Sequence, residues 1–582
     1  MPDVSAVPAP AAAGVATDYY DLGTYSRPVT TGSADAQTWF DRGLVWTYGF
    51  NHEEAVRCFR RALDADPACA MAWWGVAYAL GPNYNKPWEF FDDLELGTVV
   101  DQVYAAARAA EEHATTPVEK ALAAALRHRY PAAEPGAPET LSEWNEGYAA
   151  AMAEVYAAHP DDLDVAALYA DALMNLTPWQ LWDVVTGEPA PGSRAVEARA
   201  VLDGALERPG GDSHPGVLHF YIHLMEMSGA PEEALPVADR LRDLVPDAGH
   251  LRHMPTHLDV LVGDYRRVVA SNLDAIAADR RYAQRSAERS AERSAERGGA
   301  PGFYTLYRCH DLHFAIYGAM FLGQSRVALE IAEALEEAVP EDLLRVQSPP
   351  MADWLEGFVA MRVHVLVRFG RWEEILALPF PADPQLYATS TAMLHYARGL
   401  AHAVLGDVAG AEGERALFAE AVARVPESRT LFNNTCRDIL GVAAAMLDGE
   451  VAYRAGRVEE GLAALRRAIG LDDALPYDEP WGWMQPTRHA YGALLLEQGR
   501  VEEAEAVYRA DLGVDGSIPR CQQHPGNVWS LHGYHECLVR LGKTEAAAVV
   551  GQQLGFALAQ ADVPVESSCF CRLDVGADGH CH

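Results

Sequence analysis

Eight histidines, His219, His223, His250, His253, His257, His310, His313 and His364, recur at one repeating set of positions along the chain. Neutral imidazole is a good ligand for borderline transition metals, because one ring nitrogen offers a lone pair while an acceptor behind the ring fixes the other. Pairs four residues apart, His219 with His223 and His253 with His257, present two ligands on one helical face. A third or fourth ligand then comes from a neighbouring helix, about 8–10 Å away. Glu226 can complete such a set or act as a base beside it, and Tyr317 can assist proton transfer. The imidazoles outnumber the ligands of one tetrahedral ion, so either two ions bind or some rings position a substrate. Copper, iron and zinc, and nickel with them, all suit such a site, and affinity order alone does not choose among them. Met225, Met227, Met254 and Cys309 add soft atoms that favour copper, although methionine more commonly fills cores.

The elements that must position these rings follow a repeat. With Gly43 at position 8 of a unit of roughly 34 residues, Trp39 falls at 4, Ala55 at 20, Phe59 at 24, Ala62 at 27 and Pro67 at 32. That is the tetratricopeptide pattern of two helices with small residues where they cross. Gly229 with Ala234 and Pro246, Gly263 with Asn272 and Ala275, and Gly323 with Ala328 and Pro340 register central units. Gly370, Gly406 with Ala411, Gly456 with Ala468, and Gly499 with Ala504 register four more. The expected fold is all-α, an α-solenoid of tetratricopeptide-like helical hairpins curled into a closed or a two-lobed superhelix.

In this frame the first helix of each hairpin lines the concave surface. His219 and His223 take positions 5 and 9 with Glu226 at 12, and His250, His253 and His257 take 2, 5 and 9. His310 and His313 follow at 2 and 5 with Tyr317 at 9, then His364 at 9, and His489 at 5 much further along. The rings are thereby expected to face one groove. Pro255 lies about one turn into its helix, where it removes a backbone donor and kinks the helix or delays its start. His257 is therefore expected on the helix, and His250 and His253 on a loop at the same rim.

The chain divides into a disordered leader (1–35), an N-terminal lobe with the histidine-rich centre (36–280), a Ser-Ala-Glu-Arg insertion (281–300), a C-terminal lobe (301–560) and a Cys/His-rich tail (561–582). In that tail Cys569 and Cys571, with His580, Cys581 and His582, can donate a ligand to the groove, deliver copper or form a redox pair. Aromatic and amide-rich loops at 81–88, 175–182 and 477–483 leave the repeats at helix ends, where they cap the groove or pack between hairpins. His52 with Glu53 and Glu54 reads as a helix cap and solvent face, and His532 with His535 and Glu536 has metal-like spacing in an ambiguous register.

Composition sets the outer limits. Forty-six basic against 83 acidic residues give a net charge of −37, which disfavours nucleic acid and anionic membranes as partners. No apolar run reaches the ~18 residues of a membrane span, and the first residues lack the basic segment of a secretory signal, so a cytoplasmic protein is expected. Nine scattered cysteines read as free thiols. Phosphate-binding glycine loops and a GxSxG elbow are absent from the sequence, which disfavours nucleotide-driven and serine-hydrolase chemistry.

Several strings carry a family resemblance. They are Phe50-Asn-His-Glu-Glu-Ala-Val-Arg-Cys-Phe59, Gly81-Pro-Asn-Tyr-Asn85, His214-Pro-Gly-Val-Leu-His-Phe-Tyr-Ile-His223, Gly249-His-Leu-Arg-His-Met-Pro-Thr-His257, Tyr307-Arg-Cys-His-Asp-Leu-His-Phe314 and Glu479-Pro-Trp-Gly-Trp-Met-Gln-Pro-Thr-Arg-His489. The chain resembles a widespread family of large tetratricopeptide-repeat proteins of bacteria and fungi, over nearly its whole length after residue 35. The GHLxHMPxH-type string at 249–257 is the most specific element. The resemblance implies a tetratricopeptide fold with a histidine-lined centre and names no reaction.

Two functions follow. The first is a metalloenzyme acting on a small molecule, with redox chemistry placed ahead of hydrolysis. The second is a scaffold whose groove grips a peptide or protein partner. The imidazole-rich centre places the metal reading first, since peptide grooves of this fold use Lys, Arg and Asn.

Overall fold

The computed structural model describes residues 19–292 and 302–573, and helices joined as successive hairpins make up almost all of it. The first hairpin shows how the sequence builds a unit. The Ser33 side chain accepts from Ala36 N to start the helix Ala34–Tyr48, and the Asn51 side chain accepts from Glu54 N to start His52–Ala65. Glu54 then turns inward and is buried, while His52 is half-buried and Glu53 exposed, so only Glu54 departs from the expected solvent face, and Asn51 supplies the cap. The helices cross at Phe59, whose buried ring lies between Gly43 and Gly75 of the following helix Ala70–Leu80. A Cβ at Gly43 would stand 2.6 Å from that ring, and one at Gly75 2.5 Å. Gly75→Ala is therefore expected to lower stability by about 1–3 kcal/mol through overpacking. The chemical-denaturation midpoint reads this directly, and an unchanged midpoint would mean that the Phe59 ring can move aside.

The glycines read as hairpin markers behave as a set with one exception. Gly263, Gly323, Gly370, Gly406, Gly456 and Gly499 stand at helix ends with φ between 62° and 87°, a conformation open to glycine at little cost. Gly542 ends Val528–Arg540 in the same way. Gly229 does not adopt this conformation; it lies against Gly187, whose Cα would be 3.3 Å from a side chain there.

The buried apolar residues form two cores. One runs from Tyr20 to Leu258 and the other from Val260 to Cys571. The helix Tyr265–Glu292 serves both, giving Val268 and Ile276 to the second core and Tyr282 to the first. Its C-terminal turns run through the first part of the Ser-Ala-Glu-Arg repeat, and the remainder of that repeat lies outside the described residues. Tyr477 and Cys521 from late hairpins are buried in the first core, so the superhelix curls back on itself. Asp562 accepts from Ser325 N (2.7 Å) and Arg326 N (3.0 Å), and Trp529 Nε1 donates to Met320 O (2.8 Å).

A polar knot ties the N-terminal segment to this body. Asp164 accepts from the hydroxyls of Tyr25 and Tyr48 (2.6 Å each) and from Arg27 (2.5 Å). His214 uses Nδ1 to accept from Val217 N, which leaves Nε2–H to donate to Asp164 at 3.2 Å. Among the described residues no helix is long and apolar enough to cross a membrane.

Candidate metal centre

Seven of the predicted histidines stand on four helical segments, and all but His313 reach the centre: Pro215–Met225 (His219, His223), Gly249–His253 (His250, His253), Pro255–Val262 (His257) and Tyr304–Phe321 (His310, His313). Pro255 does interrupt the second of these from the third. Met254 nevertheless keeps helical angles, φ −49° and ψ −38°, and Pro255 opens the next helix, where a proline lacks no needed donor. His250 and His253 therefore stand on a helical turn and not on the expected loop. The groove is enclosed: each of the seven rings is at most 7% exposed.

Two imidazole triads result. His219, His223 and His250 bring one ring nitrogen each within 4.8 Å of the others, and so do His253, His257 and His310. In the second triad His257 Nε2 lies 2.7 Å from His253 Nε2 and 3.4 Å from His310 Nε2. Glu226, His257 and Glu479 form a third such group.

The groups behind the rings decide which nitrogens are free. Asn272 donates through Nδ2 to Val268 O (2.8 Å), so its Oδ1 faces His253 Nδ1 at 2.6 Å and holds the proton there. His219 Nδ1 donates to Tyr48 O (2.6 Å), and His223 Nδ1 donates to Glu226 Oε1 (3.0 Å). All three rings thus present an Nε2 lone pair inward, the arrangement that orients histidine ligands in metal sites. The Nε2 atoms of His219 and His223 and both nitrogens of His250 are buried without a hydrogen-bond partner. Buried polar atoms normally have one, and a cation would satisfy the two Nε2 lone pairs and one nitrogen of His250.

Charge is distributed unequally. Burial, helped by neighbouring imidazoles, holds His219, His223, His250, His253 and His310 well below the ordinary histidine pKa, so these rings are neutral. Burial acts the same way on His257, but Glu226 and Glu479 outweigh it and raise the ring to about 10. Their oxygens stand 2.8 and 2.7 Å from His257 Nδ1. Both lie off the axis of a ring N–H, so these are ion pairs rather than directed hydrogen bonds. Burial lifts Glu226 above its usual range and Glu479 to about 7. Behind His253, burial and then Asp279 push Asp311 well above the carboxylate range.

Aromatic side chains wall the triads. Phe50 lies against His219 (ring centroids 4.6 Å), His250 (5.5 Å) and His223 (5.7 Å), Trp179 against His223 (5.9 Å), and Phe432 against His310 (4.8 Å). These three are the non-glycine residues with positive φ among the described residues, at 54°, 58° and 48°. Such backbone is costly and concentrates at functional sites. Tyr84 adds a ring 5.0 Å from His223, so the loops around residues 84, 179 and 479 do reach over the centre. A cavity of about 40 Å³ remains beside His257, His310 and Glu479, lined also by Trp179, Tyr307 and Phe432. It has room for a few waters.

Not every predicted residue joins. His313 points away, with Nε2 2.8 Å from Met484 Sδ and its ring edge-on to Phe358. Tyr317 is stacked between Phe321 (4.3 Å) and Trp481 (5.5 Å), and its hydroxyl makes no hydrogen bond to the triads. His364 packs on Trp483. His489 belongs to a separate network, accepting from Arg368 (3.0 Å) and donating to Asp511 (3.0 Å). Cys569 and Cys571 are disulfide-bonded to each other beside His489, and His580, Cys581 and His582 lie outside the described residues. Met225, Met227, Met254 and Cys309 are core residues. Glu479, Asn272 and the aromatic walls were not picked out by histidine spacing; the Glu479 loop was marked by its aromatic richness and by the string at 479–489.

Comparison with known proteins adds little. No protein-family model matches the chain, and no curated protein matches it. Among solved structures, the APC/C hetero-tetramer Cut9-Hcn1 aligns at 12% identity over 84% of this chain and 74% of that one, with a TM-score of 0.30. Naa15/Naa10 bound to HypK aligns at 14% identity over 90% and 70%, with a TM-score of 0.20. Yeast Tom70 aligns at 10% identity over 89% and 99%, with a TM-score of 0.27. At these scores the alignments assign neither relationship nor function to this chain.

Proposed function

We propose that the protein is a metalloenzyme in which His253, His257 and His310 hold a borderline transition ion, copper, iron or zinc, that acts on a very small molecule. The convergence of three buried Nε2 atoms, one fixed by Asn272, carries this reading. A bound ion of this class supplies Lewis acidity or, for copper and iron, electron transfer. Glu226 and Glu479 anchor the His257 ring from behind, and the aromatic walls exclude bulk water. The cavity of about 40 Å³ beside His257 and His310 admits water or dioxygen to the ion. A peptide partner would have to open the superhelix to touch these rings, so the scaffold reading draws no support from the site.

Elemental analysis of protein purified from metal-replete medium tests this. The wild type is expected to carry transition metal, and His253→Ala combined with His310→Ala to lose the ion of this triad while keeping its helical circular dichroism. Wild-type protein without bound metal would sink the proposal.

A further inference from the structure

The other triad makes an independent case. His219 and His223 lie one turn apart on Pro215–Met225, and His250 reaches them from Gly249–His253, with ring centroids 4.8 Å (His219–His223) and 4.9 Å (His219–His250) apart. None of the three is more than 1% exposed. Tyr48 O and Glu226 hold the Nδ1 protons of His219 and His223, so two lone pairs are aimed at the space that His250 borders. His250 has no hydrogen-bond partner at either nitrogen. Packing alone would be served better by apolar rings in such a place, because buried imidazole nitrogens lose their water without replacement. Phe50, held with φ at 54°, covers the same three rings.

We infer that His219, His223 and His250 form a second metal site, taking an ion of the same borderline class, so that the protein carries a pair of three-histidine sites. The two triads adjoin: ring centroids of His223 and His257 are 5.9 Å apart, and those of His250 and His253 5.8 Å. Glu226 touches both, through Oε1 to His223 and Oε2 to His257. Three imidazole ligands per ion leave coordination open on each, as in catalytic rather than structural sites. The pairing of the sites rests on the metal reading of the first triad; the second site itself does not.

Cobalt suits imidazole and reports its own coordination by visible absorption, so the test is cobalt per chain in full-length protein expressed in cobalt-supplemented minimal medium. Wild type is expected to hold two equivalents. His219→Ala with His250→Ala, and separately His253→Ala with His310→Ala, are each expected to hold one, with correspondingly weaker absorption. One equivalent in the wild type, unchanged by His219→Ala with His250→Ala, would overturn the second site and leave the first standing. One equivalent lost only with the His219 pair would instead overturn the proposed function and retain this site. If a double variant fails to fold, the wild-type count still decides whether a pair exists, since a single equivalent there refutes it.

Discussion

Asp164→Ala is expected to cost about 3–5 kcal/mol of stability, because it strips a buried charge network of its common acceptor. Arg27, Tyr25, Tyr48 and His214 all converge on this carboxylate. The damage should extend to the metal centre, since the carbonyl of the same Tyr48 holds the His219 proton. The effect also has a pH signature. Burial acts to raise the Asp164 pKa, but His214, Arg27 and Tyr25 outweigh it and hold the group below its ordinary value. A depressed folded-state pKa contributes stability that is complete above the unfolded value of about 3.9 and is lost as pH falls below it. Wild type should therefore lose stability in that acid window more steeply than the variant. Urea midpoints at neutral pH and at about pH 3 measure both effects; equal neutral midpoints would show that the network contributes nothing net.

The second large effect is expected at Glu226. It accepts from a ring of one triad and neutralises a ring of the other, so no other side chain described above acts on both. Losing an acceptor of this kind lowers metal affinity by roughly 10–100-fold. Glu226→Ala should impose that loss on both triads at once, whereas Asn272→Leu, which touches only His253, should weaken one. Competition against a graded series of chelators resolves the two. An Asn272→Leu loss as broad as that of Glu226→Ala would show that the triads are not held separately.

Much of the fold was legible because hairpin repeats mark the chain at points of steric necessity. Gly43 yields to the Phe59 ring, and Gly263 to Gly499 end helices in a conformation that glycine adopts freely. The inward face of each helix was legible for the same reason, and six of the imidazoles read at inward positions lie together. What failed depended on long-range geometry. Groove positions diverge as the superhelix turns, so His313 and Tyr317 share the numbering of site residues without sharing their space. Pro255 was overread: a proline that opens a helical segment need not divert the chain. The enclosing loops had a local signal in their aromatic and amide richness, but whether they cap the groove or pack between hairpins was set by long-range geometry. Left-handed Phe50, Trp179 and Phe432 had no local signal, because an aromatic residue does not announce such a backbone.

The curling of the superhelix has a consequence for how the protein is made. In an open repeat array each unit is completed by its neighbours and folding spreads locally. Here six imidazoles lie within residues 219–310, yet the wall residue Phe432 and the carboxylate of Glu479 arrive far later on the ribosome. His257 therefore waits for more than 200 residues of further synthesis before its second anion is in place. Contacts such as Asp562 to Ser325 close loops of similar size, which slows the final step relative to the local hairpins. During that interval the early histidines are more accessible than in the finished fold, so on the proposed metal reading the supply during synthesis, rather than afterwards, would govern which ion the triads take.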